Sequence, residues 1–201
     1  EEGEGLPMRK LFSSKLFWIL AVLMFASGAS ELSMSQWASA FAESGLGVSK
    51  TVGDLAGPCF FAVLMGCARV VYAKFGDRLN LLNVEILSSL LCVAAYLLAA
   101  LSPIPALALL GCGLCGFSVG VMWPGTISVA ARYLPKGGTA MFALLALFGD
   151  LGCSGGPTLV GMVSGAMGGA LKTGLLFAIL FPALLIAAAL ICKKALKKRA
   201  E

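Results

Sequence analysis

Hydrophobic residues occur in six long runs that short polar segments separate. The runs cover approximately residues 16–41, 52–73, 81–101, 104–130, 139–166 and 172–192. Each has the roughly 20 residues that a helix needs to cross about 30 Å of hydrocarbon. Because the runs are unbroken and do not alternate with a period of two, they predict helices and not barrel strands. The pattern therefore predicts an all-α polytopic membrane protein with six transmembrane helices.

The composition supports this interpretation. The chain is 59% hydrophobic and 12% charged, with a mean hydropathy of +0.95, whereas a soluble domain carries about 25% charged residues. The seven cysteines lie almost all within apolar runs, and the chain has no histidine. We therefore expect packing cysteines, no catalytic residues, no metal site and no cofactor.

The basic residues indicate an orientation. Thirteen of the 15 Lys and Arg lie in, or close to, the terminal and inter-run segments that share one side of the membrane, and only Lys50 and Lys172 lie close to the other side. This asymmetry places both termini in the cytoplasm of a plasma (inner) membrane protein. The basic C-terminal residues follow a spanning helix directly, so we expect them to bind anionic lipid and not nucleic acid.

Three segments follow from these patterns. Residues 1–15 are expected to form a charged cytoplasmic linker, residues 16–192 the six-helix bundle, and residues 193–201 a basic cytoplasmic tail. The chain begins Glu-Glu-Gly-Glu-Gly, and its first methionine is Met8. This start is consistent with a fragment or with the second half of a longer protein.

Two acidic residues lie near the middle of apolar runs, namely Glu31 and Asp150. A charge at the bilayer centre costs roughly 2.5–3.5 kcal/mol on insertion scales, so such residues usually face a bundle interior or a hydrated cavity. We expect both to contribute to a substrate or proton site. The alternative is a buried, protonated acid with a purely structural role.

The first run carries a polar stripe around Glu31. Ser27, Glu31 and Ser35 recur at intervals of four, and Gln36 and Trp37 follow one turn further on. Hydrogen-bonding side chains beside an aromatic ring suit a hydroxyl-rich solute. The serines taken singly are better explained by hydrogen bonds between helices.

The fourth run contains a second group of candidates, in the sequence Met-Trp-Pro-Gly-Thr at 122–126. Pro124 removes a backbone donor, so we expect a bend there. Trp123 and Thr126 beside that bend are predicted to line a cavity. Asp150 in the fifth run is predicted to flank it.

Two motifs carry a family resemblance. Residues 68–78 read A-R-V-V-Y-A-K-F-G-D-R and resemble the cytoplasmic loop G-R-x-x-x-G-x-x-x-D-R of the major facilitator superfamily, with alanines at two glycine positions. Residues 28–37 and 122–124 together resemble two helices of the fucose/glucose–galactose permease branch. An inserted Ser30 and the presence of Gln36 depart from the branch pattern.

The resemblance implies the C-terminal half of such a transporter, with six helices in a 3+3 inverted repeat. It further implies alternating access against an N-terminal half, with Arg69, Asp77 and Arg78 acting as a conformational latch at the cytoplasmic surface. Asp77 is expected to cap a helix end. Protons are the expected driving ion. A sugar or similar small polar solute is the expected cargo of this symporter, because no fixed cation is evident within the membrane.

Other functions stay open at this stage. Efflux of drugs or other organic solutes is the next alternative, followed by a non-transporting structural or sensory bundle. A membrane enzyme is disfavoured because the sequence offers no clustered acids, no histidine and no nucleophile–base pair.

The predicted topology can be tested by labelling. A cysteine introduced at Gly47 is expected to react with an impermeant thiol reagent added outside intact cells, whereas one at Lys198 reacts only after permeabilisation. The unsubstituted chain is the control, because its seven native cysteines determine the background labelling. The opposite labelling pattern would reverse the orientation.

Overall fold

Six helices long and apolar enough to cross a membrane form the architecture of this chain. The computed structural model describes residues 6–200, except for the surroundings of Gly45 and the side chains at positions 77, 199 and 200. The spanning helices are α1 (Lys15–Ser44), α2 (Lys50–Phe75), α3 (Leu81–Leu101), α4 (Pro105–Tyr133), α5 (Pro135–Ala166) and α6 (Leu171–Lys198). No strand occurs in the described part of the chain. The predicted all-α class with six membrane helices is confirmed, and the 3+3 arrangement is consistent with it.

The ends of the bundle are more helical than the sequence suggested. A short helix, Met8–Phe12, precedes α1 within the expected linker. The last helical segment, Leu180–Ala200, continues without a break through the basic residues that follow the apolar run. Lysine has a good intrinsic helix propensity, so a basic segment that follows a membrane helix can extend it into the aqueous layer.

Prolines and π-helical turns interrupt the regular helices. Helix α4 consists of Pro105–Val119 and Met122–Tyr133, so the predicted bend lies just before Pro124, where the carbonyl one turn earlier loses its usual donor. Two π-helical turns, Phe41–Gly45 and Leu55–Cys59, lie at the end of α1 and around Pro58 of α2. Helix α6 is interrupted at Ile179.

Helices α1 and α4 are the most enclosed of the six, and α2 and α5 are the most exposed. Helix α1 packs along α5, α6 and the two halves of α4, while α4 also packs against α2 and α3. Buried Tyr96 of α3 donates a hydrogen bond of 2.8 Å to the carbonyl of Ser30 in α1. The residues of α1 and α4 thus occupy the centre, and α2 and α5 flank them.

Close backbone contact between α1 and α5 depends on glycine. A side chain at Gly152 would overlap the backbone carbonyl of Phe25, and one at Gly28 would overlap the carbonyl of Gly149. Small residues allow membrane helices to approach in this way, and van der Waals packing then stabilises the pair. This contact brings Glu31 of α1 close to the middle of α5.

Gly152→Ala is expected to destabilise the bundle, since overpacking of an interface typically costs about 1–3 kcal/mol. The matched control is Gly155→Ala, because a Cβ at Gly155 would make only ordinary contacts, 3.9 Å from the ring of Phe25. The measurement is the thermal unfolding midpoint of each variant in detergent. Equal midpoints for the two variants would contradict the proposed close contact.

Candidate functional site

Glu31 forms an ion pair with Arg69 of α2. The separation between Oε2 of Glu31 and a guanidinium nitrogen of Arg69 is 3.7 Å, with the Glu31 side chain 17% exposed and that of Arg69 48% exposed. This distance is too long for a direct hydrogen bond, so attraction between the two charges holds the pair. It is the one ion pair among the side chains that the structure describes. The mid-helix carboxyl group therefore has a cationic partner.

The ion pair forms one wall of an open cavity of about 460 Å³. Trp123 and Pro124 from α4 and Cys153 from α5 complete the lining. Its volume lies within the range of about 300–1,000 Å³ typical of small-molecule sites. The cavity combines a charged pair with an aromatic and an aliphatic ring, which is an arrangement able to bind a small amphipathic or polar molecule.

The local fold explains why Trp123 lies there. Its ring packs directly on Gly149 of α5, where any side chain would overlap it. The break in α4 at Gly120 and Val121 separates the half-helix that carries Trp123 from the preceding half, Pro105–Val119. The proline bend and the glycine of α5 together position the indole ring beside the ion pair.

Arg69 has a partner that the sequence did not predict. The sequence predicts Arg69 as part of a latch at the cytoplasmic surface and predicts no fixed cation within the membrane. The long arginine side chain instead reaches Glu31, since arginine can extend several ångströms along a helix from its own Cα. The cavity therefore contains a positive group as well as a negative one.

The remaining predicted residues of α1 lie outside this cavity. Trp37 is half-buried, and its indole N–H donates a hydrogen bond of 3.0 Å to the carbonyl of Pro157 in α5. Ser35 is partly buried, and Gln36 is exposed. Trp37 thus joins α1 to α5 one to two turns away from Glu31.

Asp150 is exposed on α5. It lies three residues before Cys153, on the same face of the helix, so it is close to the rim of the cavity. It forms no ion pair with a described basic residue. This placement agrees with a flanking position and not with a central one.

Thr126 is directed away from the cavity and toward Glu85 of α3. Both side chains are fully buried, and the Thr126 hydroxyl donates a hydrogen bond of 3.3 Å to Oε1 of Glu85. The other oxygen, Oε2, has no hydrogen-bond partner in the described structure. A side chain at Gly125 would overlap the Glu85 carboxyl group, so α3 and the second half of α4 are in close contact there.

Glu85 was not singled out from the sequence. It lies only five residues into its apolar run, where an acid is equally compatible with an exposed helix end. The sequence offered one indication of burial: apolar residues precede Glu85 in the same run, so it lies within the predicted span and not before it. The position of a residue within an apolar run indicates its depth in the membrane, but it does not indicate which helices pack around its side chain.

The expected latch segment, residues 68–78, includes the C-terminal end of α2 and the turn that leads to α3. Gly76–Arg78 form a 3₁₀ turn after α2, and Asn80 caps α3 by accepting a hydrogen bond of 3.2 Å from the Asn83 amide. The N-cap of α3 is therefore Asn80, whereas the capping role expected of Asp77 stays a prediction. The Asp77 side chain itself lies outside the described residues. Arg78 is exposed.

A second cavity of about 650 Å³ lies beside this segment, and its lining includes Tyr72, Gly76 and Arg132. The Tyr72 hydroxyl donates a hydrogen bond of 3.0 Å to Ser128 of α4. Ser128 in turn donates one of 2.8 Å to the carbonyl of Pro124, a residue that also lines the Glu31 cavity. Polar contacts therefore join the latch segment to the bend in α4.

Thr126→Val is expected to lower the thermal midpoint, because it leaves a fully buried carboxyl group without a donor, a loss of about 1–3 kcal/mol. Thr158→Val is the matched control: Thr158 is exposed and bonds only to the carbonyl of Ser154 within its own helix. If both variants unfold at the temperature of the unsubstituted chain, the Thr126–Glu85 hydrogen bond does not contribute to stability.

Comparison with protein families adds an independent finding. The model of the Major Facilitator Superfamily matches residues 2–157, a range that includes α1 to α4, much of α5 and every residue of the Glu31 cavity. Comparison with curated proteins and with solved structures found no match. The matched range, together with the six membrane helices, shows that this chain belongs to the Major Facilitator Superfamily of membrane transporters.

Proposed function

We propose that this chain is part of a secondary active transporter that couples proton movement to the transport of a sugar or a similar small polar solute. The Glu31–Arg69 ion pair beside a cavity of about 460 Å³ is the observation that carries the proposal. An N-terminal six-helix half is proposed to supply the opposite wall and to rock against this half during alternating access.

The proton step follows from the environment of the ion pair. A carboxylate inside a membrane bundle is tolerated when a cation compensates its charge, and it becomes neutral on binding a proton. Protonation of Glu31 therefore removes the attraction that holds Arg69. Only 17% of the Glu31 side chain is exposed, and that exposed part is the route by which a proton can enter from the cavity.

Release of Arg69 would connect the cavity to the cytoplasmic segment. Arg69 stands within residues 68–78, the segment that resembles the superfamily loop. A change in its partner alters the position of the inner end of α2, where the proposed latch residues Arg78 and Asp77 lie. Two states that differ in one charge pair are a recognised basis for a conformational switch.

The cargo proposal rests on the charge and shape of the cavity. A paired carboxylate and guanidinium leave the cavity without net charge, which suits an uncharged solute better than an anion. Trp123 offers a flat face for the apolar side of a sugar ring, and the charged groups can exchange hydrogen bonds with hydroxyl groups. The similarity of residues 28–37 and 122–124 to the fucose/glucose–galactose branch supports the same substrate class.

Efflux of an apolar organic solute is the second candidate. Trp123, Pro124 and Cys153 form most of the cavity lining, and such a surface also suits a drug-like molecule. The two candidates differ in the effect of a gradient: a sugar symporter accumulates its solute with inward proton flow, whereas an efflux protein reduces accumulation of its solute.

Glu31→Gln tests the coupling. We expect this variant to abolish proton-driven accumulation of labelled fucose, glucose or galactose while it retains counterflow exchange, since Gln preserves shape and hydrogen bonding but cannot bind or release a proton. The assay uses vesicles that contain the full-length transporter.

Asp150→Asn is the control for that experiment, because Asp150 is exposed at the rim and pairs with no described cation. It is expected to reduce accumulation only mildly. Normal accumulation by Glu31→Gln would make Glu31 a structural acid and would overturn the coupling proposal.

A further inference from the structure

A continuous groove runs between α1 and α6, away from the Glu31 cavity. It consists of two adjoining cavities of about 240 Å³ each, which share Ile19 of α1. The first is lined only by apolar or aromatic residues, among them Trp18, Val22 and Leu184. The second lies nearer to the helix ends and includes Lys15 and Lys198.

The residues of the groove form one stripe on each helix. On α6, the lining residues Leu184, Ala187, Ile191, Ala195 and Lys198 follow at intervals of three or four, which places them on one face. At 1.5 Å per residue this stripe is about 20 Å long. Half of a hydrocarbon core is about 15 Å thick, so the groove spans one leaflet and reaches the interface.

The two lysines give one end of the groove a positive charge. Lys15 and Lys198 are both exposed, and neither forms an ion pair with a described acid. They belong to the set of basic residues that the charge asymmetry places on the cytoplasmic side. A groove with an unpaired positive mouth and an apolar body complements a molecule with an anionic head and a hydrocarbon tail.

Trp18 marks the depth of the groove in the membrane. Its ring is 46% exposed, while its indole N–H donates a hydrogen bond of 2.9 Å to the carbonyl of Phe12. Tryptophan side chains with one apolar face and one satisfied polar group are typical of the membrane interface. Its ring also packs edge-on against Phe17 of α1 and Phe148 of α5.

We infer that this groove binds one anionic phospholipid of the cytoplasmic leaflet. The phosphate contacts Lys15 and Lys198, and an acyl chain follows Ile19, Val22 and Leu184. A free phosphate would contact the lysines but would leave the apolar part of the groove unoccupied. A helix of another protein could pack against the apolar part of the groove, but it would need an acidic residue opposite the lysines.

The test measures lipid binding by the purified full-length protein with native mass spectrometry and thermal stabilisation. Phosphatidylglycerol is expected to bind and to raise the unfolding midpoint, whereas phosphatidylcholine at the same concentration does so much more weakly. Glycerophosphate, which has the head but no tail, is expected to have no effect. Equal binding of both lipids, or stabilisation by glycerophosphate alone, would overturn the inference.

The double variant Lys15→Gln and Lys198→Gln is expected to weaken phosphatidylglycerol binding about thirtyfold, as for the loss of two basic residues near an anionic surface. The matched control is Lys194→Gln with Lys197→Gln, which removes the same charge from exposed positions of α6 that do not line the groove. An equal loss in both double variants would indicate general charge attraction and would contradict a defined site.

Ala187→Trp tests the apolar body separately. Ala187 is an exposed lining residue, so a larger ring fills the groove without entering the core. This variant is expected to keep the midpoint of the lipid-free protein and to lose stabilisation by phosphatidylglycerol. Leu190→Trp, an exposed position on α6 outside the groove, is its control. Undiminished binding by Ala187→Trp would exclude an acyl chain at this place.

Discussion

A carboxylate placed in the middle of a membrane bundle must be compensated, and the arrangement around Glu31 follows from that requirement. Arg69 extends from α2 to within 3.7 Å of it, although the two residues belong to different helices and lie far apart in the sequence. When two opposite charges pair, both side chains can stay ionised in an environment of low polarity. The same pair forms the charged wall of the cavity, so a contact that compensates a buried charge also lines the candidate site.

The scaffold around the pair is built from close helix contacts and one interrupted helix. Glycines let the backbones of α1 and α5 approach, and Gly149 accepts the ring of Trp123 against its backbone. The break in α4 before Pro124 separates its two halves. Glu85 provides a contrast, because it is sealed between α3 and α4 with Thr126 as its donor. One acid thus faces an accessible cavity, while the other is enclosed in the interior.

The sequence predicted the spans well because the length of an apolar run and the thickness of the bilayer are directly related. It also identified Glu31 and Trp123, which the fold brings into one cavity. It did not predict that Arg69 reaches Glu31, since a one-dimensional pattern indicates depth but not the direction of a long side chain. For the same reason Thr126 was expected at the cavity but contacts Glu85, and Trp37 was expected to face a solute but bonds to Pro157. Such details depend on helix rotation, which packing between helices determines.

The most direct measurement of the central contact is a double-mutant cycle on the full-length transporter in detergent, with Arg69→Gln, Glu31→Gln and the two combined. Thermal unfolding gives the stability of each. If the two side chains form the pair described, each single change leaves an uncompensated charge, and the combined change costs less than the sum by about 0.5–3 kcal/mol. Losses that add to within about 0.3–0.5 kcal/mol would show that the two residues do not interact and would contradict the account of the cavity.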